Sequence, residues 1–222
     1  MKAINRQFEK VGLQVHNILQ IYNQATDDEL INGKQWYCQA NQLADLMSVK
    51  YNLTVIQTAG ILSALSPGTN WNQNIIDANH LCTLLNENKD IRSIVVTTYG
   101  NNRDKAYQIY CCPEYTEKQV FKLLLGQSKT VNKTSSFFLN ILHPDCADIL
   151  TIDRHSIRVN LGITEHISIA LTEKRYLLLA SAYKQASLKL NISAIELQAI
   201  TWLIFRRLHV KVRVQKFEDS PF

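Results

Sequence analysis

An all-α fold is predicted by three observations on the sequence. Apolar residues recur at helical spacing in one segment after another. Helix-opening residues stand directly before several of those segments, Thr54, Asp153 and Ser193 among them. Strand-like alternation occurs once, in Val210-Lys211-Val212-Arg213-Val214, where basic residues interleave with valines. About nine or ten helices are expected from the periodic segments.

Ile18, Ile21 and Tyr22 mark the apolar face of an N-terminal helix that ends near Ala25-Thr26-Asp27-Asp28. A second helix is expected from about Gly33 to Tyr51, with Trp36, Tyr37, Ala40, Leu43, Ala44 and Met47 on one side as core. Thr54 reads as the N-cap of Val55 to Leu65, a segment too apolar for a surface helix and therefore central. Pro67-Gly68 breaks it. Periodicity resumes from Trp71 to Leu85, from Asn102 to Ile109 and from Glu117 to Leu125. After Gly126 come a helix opened by Lys133, a break at His143-Pro144-Asp145, and a helix begun by Asp153. Thr172 to Leu190 is a long amphipathic helix. Ser193 with Glu196 three residues on is a capping box leading into Leu197 to Leu208.

The chain has 222 residues, 46% hydrophobic and 19% charged, a balance that fits one domain or two closely packed lobes and excludes wholesale disorder. A net charge of +5 permits a polyanionic partner without requiring one. No apolar run approaches the ~20 residues that span a bilayer. The N-terminus turns polar at once, so a cytoplasmic location and no membrane association are expected. The five cysteines, Cys38, Cys82, Cys111, Cys112 and Cys146, are scattered and form no C-x-x-C pair. Free thiols are expected, with no disulfide framework, no metal and no cofactor.

The residues that point to chemistry are Lys133 and Asp153, each opening a helix. An amine and a carboxylate facing a common cleft suit reaction at a sugar carbon, where the amine attacks and the carboxylate stabilises positive charge on the ring. Asp153 before Arg154-His155-Ser156 is also a good N-cap, and the two readings are compatible, because a carboxylate at a helix N-terminus stays ionised. Lys133 reads as a nucleophile, a phosphate contact or a solvated helix start. Trp71 and Asn74 follow the Pro-Gly turn, in a loop that would stack on an extruded base and read its edge; Trp71 as a core aromatic is the competing reading. His155 would orient the carboxylate, contact phosphate or fill a structural role. Arg158 is expected to pair with an acidic neighbour and is also kept as a substrate contact. Lys105, Arg206, Arg207, Lys211 and Arg213 are candidate phosphate contacts.

Five segments in order carry a resemblance: Ile61-Leu62-Ser63-Ala64-Leu65-Ser66-Pro67-Gly68-Thr69, Asn102 to Ile109, Lys133 to Asn140, Ile152-Asp153-Arg154-His155 through Val159, and Glu196 to Leu203. Over roughly Val55 to Arg207 the chain resembles the helix-hairpin-helix DNA glycosylase superfamily, the endonuclease-III-like fold. Ala64-Leu65-Ser66-Pro67 with Trp71 and Asn74, and Thr151 to His155, look like a phage-associated branch similar to glutamyl/putrescinyl-thymine pyrophosphorylases. The resemblance implies two helical lobes flanking a cleft within a single unit, 1–222. One lobe would be 54–150 and the other 1–53 plus 151–208, with 209–222 as a basic tail.

It further implies DNA as partner, with no obligate protein partner, and base-flipping chemistry. The leading reading is an N-glycosylase, with or without lyase activity, acting on a modified or damaged base. The alternative is a thymine-hypermodification enzyme that displaces pyrophosphate with an amine donor. The third is a non-catalytic binder of modified DNA. Asp153 and Lys133 take the catalytic roles, and Leu65 or Ser66 the DNA-wedging position. The family hairpin is glycine-rich, so that backbone amides approach a phosphate. Here the matching segment is Ser128-Lys129-Thr130-Val131-Asn132, and side chains of Lys129 and Asn132 are expected to make the contact instead.

Overall fold

The computed structural model describes residues 8–146, 149–165 and 171–209. Among the described residues the chain is all-α, with ten α-helices and one 3-10 turn at Ile91–Ser93. The helices are α1 (Val11–Tyr22), α2 (Asp27–Tyr51), α3 (Val55–Leu65), α4 (Trp71–Asn86), α5 (Gly100–Cys111), α6 (Glu117–Leu125), α7 (Lys133–Leu142), α8 (Arg154–Leu161), α9 (Glu173–Leu190) and α10 (Ala194–His209). The alternating stretch Val210 to Val214, with Lys211 and Arg213, lies outside the described residues. Among the described residues no single helix is long and apolar enough to cross a membrane.

The chain divides into two units: a central one, Gln35–Ile152 with Leu171–Tyr176, and a terminal one, Met1–Lys34 with Asp153–Ala170 and Leu177–Phe222. Residues 35–53 thus group with the central helices. Helix α2 also starts earlier than its apolar face alone suggested. Thr26 and Glu29 close a capping box, Glu29 Oε2 accepting from the Thr26 N–H at 3.0 Å and Thr26 Oγ1 from the Glu29 N–H at 3.3 Å, which moves the start to Asp27.

In the central unit α3 is the hub, packed against α4, α5, α6 and α7. Its start is set by Thr54, whose hydroxyl accepts from the Gln57 N–H at 3.1 Å while Gln57 Oε1 accepts from the Thr54 N–H at 2.9 Å. Gln57 then donates through Nε2 to the Ile109 and Tyr110 carbonyls at 3.0 and 2.8 Å, satisfying orphan acceptors at the end of α5. Ile61, Leu62 and Leu65 are fully buried, each worth about 1.5–3 kcal/mol of apolar transfer. At Gly60 an added Cβ would meet Val120 Cγ1 at 2.8 Å and Ile109 at 3.2 Å, so only glycine lets α3 approach α5 and α6 this closely.

In the terminal unit α1, α8 and α10 pack on one another. Asn17 donates to the Asn160 carbonyl at 2.9 Å, fixing α1 to the end of α8. Gly33 lies against Ile200, where a Cβ would come within 2.7 Å of the Ile200 Cα. Arg207 donates to Glu29 through Nε at 2.8 Å and Nη2 at 3.0 Å, and to the Gln24 carbonyl at 2.7 Å.

Candidate functional site

Lys133 belongs to the central unit and Asp153 to the terminal one, and each is built by its own neighbours. Asp153 is the N-cap of α8. Its Oδ1 accepts from the His155 N–H at 2.9 Å, the Ser156 N–H at 2.8 Å and the Ser156 hydroxyl at 3.0 Å. Its Oδ2 accepts from the indole Nε1 of Trp202, on α10, at 3.1 Å. Ser156 Oγ in turn accepts from Gln198 Nε2 at 3.2 Å. The carboxylate is therefore held on both oxygens by donors from two helices and cannot rotate without breaking a bond.

The surroundings of Asp153 are cationic. The Arg206 guanidinium sits 4.5 Å from the Trp202 ring centroid. Burial holds Arg206 below the usual arginine range, and the charge of Asp153 pulls against that shift. The His155 ring is half-buried between Trp202 and Phe205, at centroid distances of 6.4 and 5.8 Å, and its Nδ1 has no hydrogen-bond partner among the described residues. Burial pushes His155 below the usual histidine range; Asp153 opposes this, and Arg154, Arg158 and Arg206 reinforce it. Arg158 lies over the Phe205 ring at 4.8 Å.

Lys133 opens α7, and its Nζ donates to the Ser66 carbonyl at 3.2 Å. Ser66 is the C-cap of α3, so the amine sits at a helix C-terminus where carbonyls lack intrahelical donors. One turn further along α7, Phe137 meets Trp36 and Trp71, each at a centroid distance of 5.9 Å. Trp36 and Trp71 are 5.2 Å apart and both half-buried, and Tyr37 closes the group 4.8 Å from Trp36. An amine and a partly open aromatic surface thus share the face of one helix.

Several expectations are corrected. Leu65 is fully buried in α3 and Ser66 is 6% exposed, its hydroxyl donating to the Ser63 carbonyl at 3.0 Å, so neither stands out as a wedge. Asn74 lies within α4, not in a loop; it is 1% exposed and donates to the Leu62 carbonyl at 2.9 Å. Trp71 is the first residue of that helix, capped by Asn70, and Trp36, expected in the core, is only half-buried. Asn132 caps α7 by accepting from the Ser135 N–H at 2.9 Å, and its Nδ2 donates to the Leu124 and Leu125 carbonyls at 3.2 and 2.8 Å. Its side chain ties α6 to α7 and is not left over for a phosphate.

The Asp153 carboxylate is oriented by Trp202 and Ser156, not by the His155 ring, which contributes its backbone N–H. Arg158 pairs with no carboxylate among the described residues, and Arg207 is committed to Glu29. Lys129 is exposed in the turn between α6 and α7. Lys105 is half-buried, with its Nζ 3.4 Å from where a Cβ of Gly126 would lie. The cysteines are free thiols, and burial pushes Cys82 up to about 12. Among the described residues no cluster of His, Cys, Asp or Glu is arranged to hold a metal ion.

A family model described as a family of unknown function, DUF7178, matches residues 2–209. No curated protein and no solved structure matches the chain.

Proposed function

The chain belongs to the DUF7178 family, and we propose that it is a DNA-acting, base-flipping enzyme: an N-glycosylase that removes a modified or damaged base. The observation that carries this reading is the setting of Asp153, a part-exposed carboxylate gripped by Trp202, Ser156 and two backbone amides, with Arg154 and Arg206 beside it. In base excision the bond from C1′ to the base nitrogen breaks, the base leaves with the electron pair, and positive charge develops on the sugar. A fixed carboxylate opposes that charge without reorganising, and water then adds to C1′ and loses its proton. The cationic neighbours suit a phosphodiester backbone.

On this reading α6, the turn 126–132 and α7 form the hairpin of a helix-hairpin-helix arrangement, and α8 carries the catalytic aspartate. Asn132 does the work of closing the turn that glycines do in the superfamily, so the phosphate contact falls to the exposed Lys129 with Lys105 beside the turn. The half-buried rings of Trp36 and Trp71 supply stacking faces for bases. The bond from Lys133 to the Ser66 carbonyl favours water over the amine as the attacking group.

The test is a panel of duplex and single-stranded oligonucleotides carrying damaged or modified pyrimidines, assayed for free base. Base release by the wild type that is lost in Asp153→Asn supports the reading. Borohydride trapping on abasic DNA that disappears in Lys133→Ala would assign a Schiff base to the lysine. Amine incorporation into pyrophosphorylated thymine without base release would replace excision with hypermodification. Binding without either reaction would leave a reader of modified DNA.

A further inference from the structure

The terminal unit holds a second feature that the excision chemistry does not use. A pocket of about 380 Å³ opens between α1, the end of α8 and α10. Asn17 and Gln20 line it from α1, Gln24 from the turn that follows, Arg158 from α8, and Phe205 and His209 from α10. Its volume lies in the range of small-molecule sites. Among the described residues no carboxylate lines it, while the Arg158 guanidinium and the His209 ring do.

Arg158 is the reason to read this pocket as a binding site. Its Nε is buried and makes no hydrogen bond among the described residues, while its guanidinium rests on the Phe205 ring at 4.8 Å. A buried guanidinium N–H without an acceptor is costly, and an oxyanion that accepts from the guanidinium edge would relieve it. The ring beneath holds the plane in place, so little side-chain freedom is lost when an anion docks. Burial, and after it the Arg158 charge, pushes His209 below its usual range, and an anion in the pocket would offset that charge. The carboxamides of Asn17, Gln20 and Gln24 offer donors and acceptors for an uncharged, hydrogen-bonding body attached to that anion.

We propose that this pocket binds a phosphate group, with Arg158 as its seat, and that the group is carried by a small ligand of nucleoside-monophosphate type whose polar edge meets the carboxamides of Asn17, Gln20 and Gln24. The site is separate from the chemistry assigned to Asp153, and it stands or falls without base release.

Titration calorimetry of the full chain with inorganic phosphate, with each deoxynucleoside 5′-monophosphate and with an unmodified duplex separates the sources. A monophosphate that binds more tightly than inorganic phosphate, and loses about tenfold or more in Arg158→Gln but not in Lys89→Gln at an exposed site, is the expected result. Gln20→Glu, at an exposed position on the pocket wall, should weaken binding by like-charge repulsion while leaving the core intact, and it serves if Arg158→Gln fails to fold. Arg158-dependent binding of the duplex alone would move the phosphate to the DNA backbone and overturn the small-ligand assignment. No binding by wild type, or equal binding by Gln20→Glu, would overturn the site altogether.

Discussion

Trp202 Nε1 donates to Asp153 Oδ2 at 3.1 Å, joining the start of α8 to the middle of α10 through the one oxygen that the helix amides do not reach. Without this bond that oxygen would be free to turn toward Arg206 or solvent. Trp202→Phe keeps a smaller ring beneath Arg206 and deletes the N–H donor. A hydrogen bond to a charged group contributes about 1.5–3 kcal/mol to stability, so the melting temperature should fall by several degrees, and base release should fall by about tenfold or more in protein that is still folded. An unaltered rate would remove the indole from the site.

His155 makes the stability of the terminal unit depend on pH. Burial holds its folded pKa below the usual value, against the pull of Asp153. The unfolded chain takes up this proton near pH 6.5, before the folded one does, so it binds more protons in that window. Stability is therefore full above the unfolded pKa and is lost as pH falls toward the folded one. In urea melts from about pH 7.5 to about pH 5, His155→Gln should lose stability less steeply than wild type. Parallel curves would contradict the assignment.

Asn132 is expected to matter for folding more than for DNA. Asn132→Ala removes a helix N-cap and leaves the Leu124 and Leu125 carbonyls without their side-chain donor. A loss of about 1–2 kcal/mol follows from the cap alone, read as a lower midpoint in chemical denaturation. Lys129→Ala in the same turn should leave the midpoint in place and reduce the salt slope of DNA binding by about one unit.

Gly60→Ala tests the packing of the hub. The new Cβ would lie 2.8 Å from Val120 Cγ1, so α3 and α6 must separate or Val120 must leave its rotamer. Overpacking of this kind costs about 1–3 kcal/mol. Stabilisation through the higher helix propensity of alanine would show that the helices yield more easily than the close approach implies.

Much of the helical order was legible because it rests on neighbouring residues. Thr54 with Gln57, Ser193 with Glu196 and Asp153 before α8 are caps closed within three positions, and periodicity bounded α6 at Glu117 and Leu125. The candidate site was legible only in part, because its decisive bonds are long-range. Nothing near Trp202 announces that its indole meets a carboxylate 49 positions earlier. Arg158 was expected to find an acid, yet tertiary packing gave it the Phe205 ring instead. Asn74 could have been placed correctly, since it shares the inner face of α4 with Ala78, Leu81 and Leu85 at helical spacing.

Single-turnover base release from an oligonucleotide that the wild type processes, compared with Asp153→Asn, addresses the central claim most directly. Asparagine is as good an N-cap as aspartate through Oδ1, so the fold should survive while the charge and the acceptor for the Trp202 N–H are lost. The expected result is a cooperatively folded protein with a modestly lower melting temperature and a rate lower by about a thousandfold. A folded Asp153→Asn protein that releases base at the wild-type rate would contradict it.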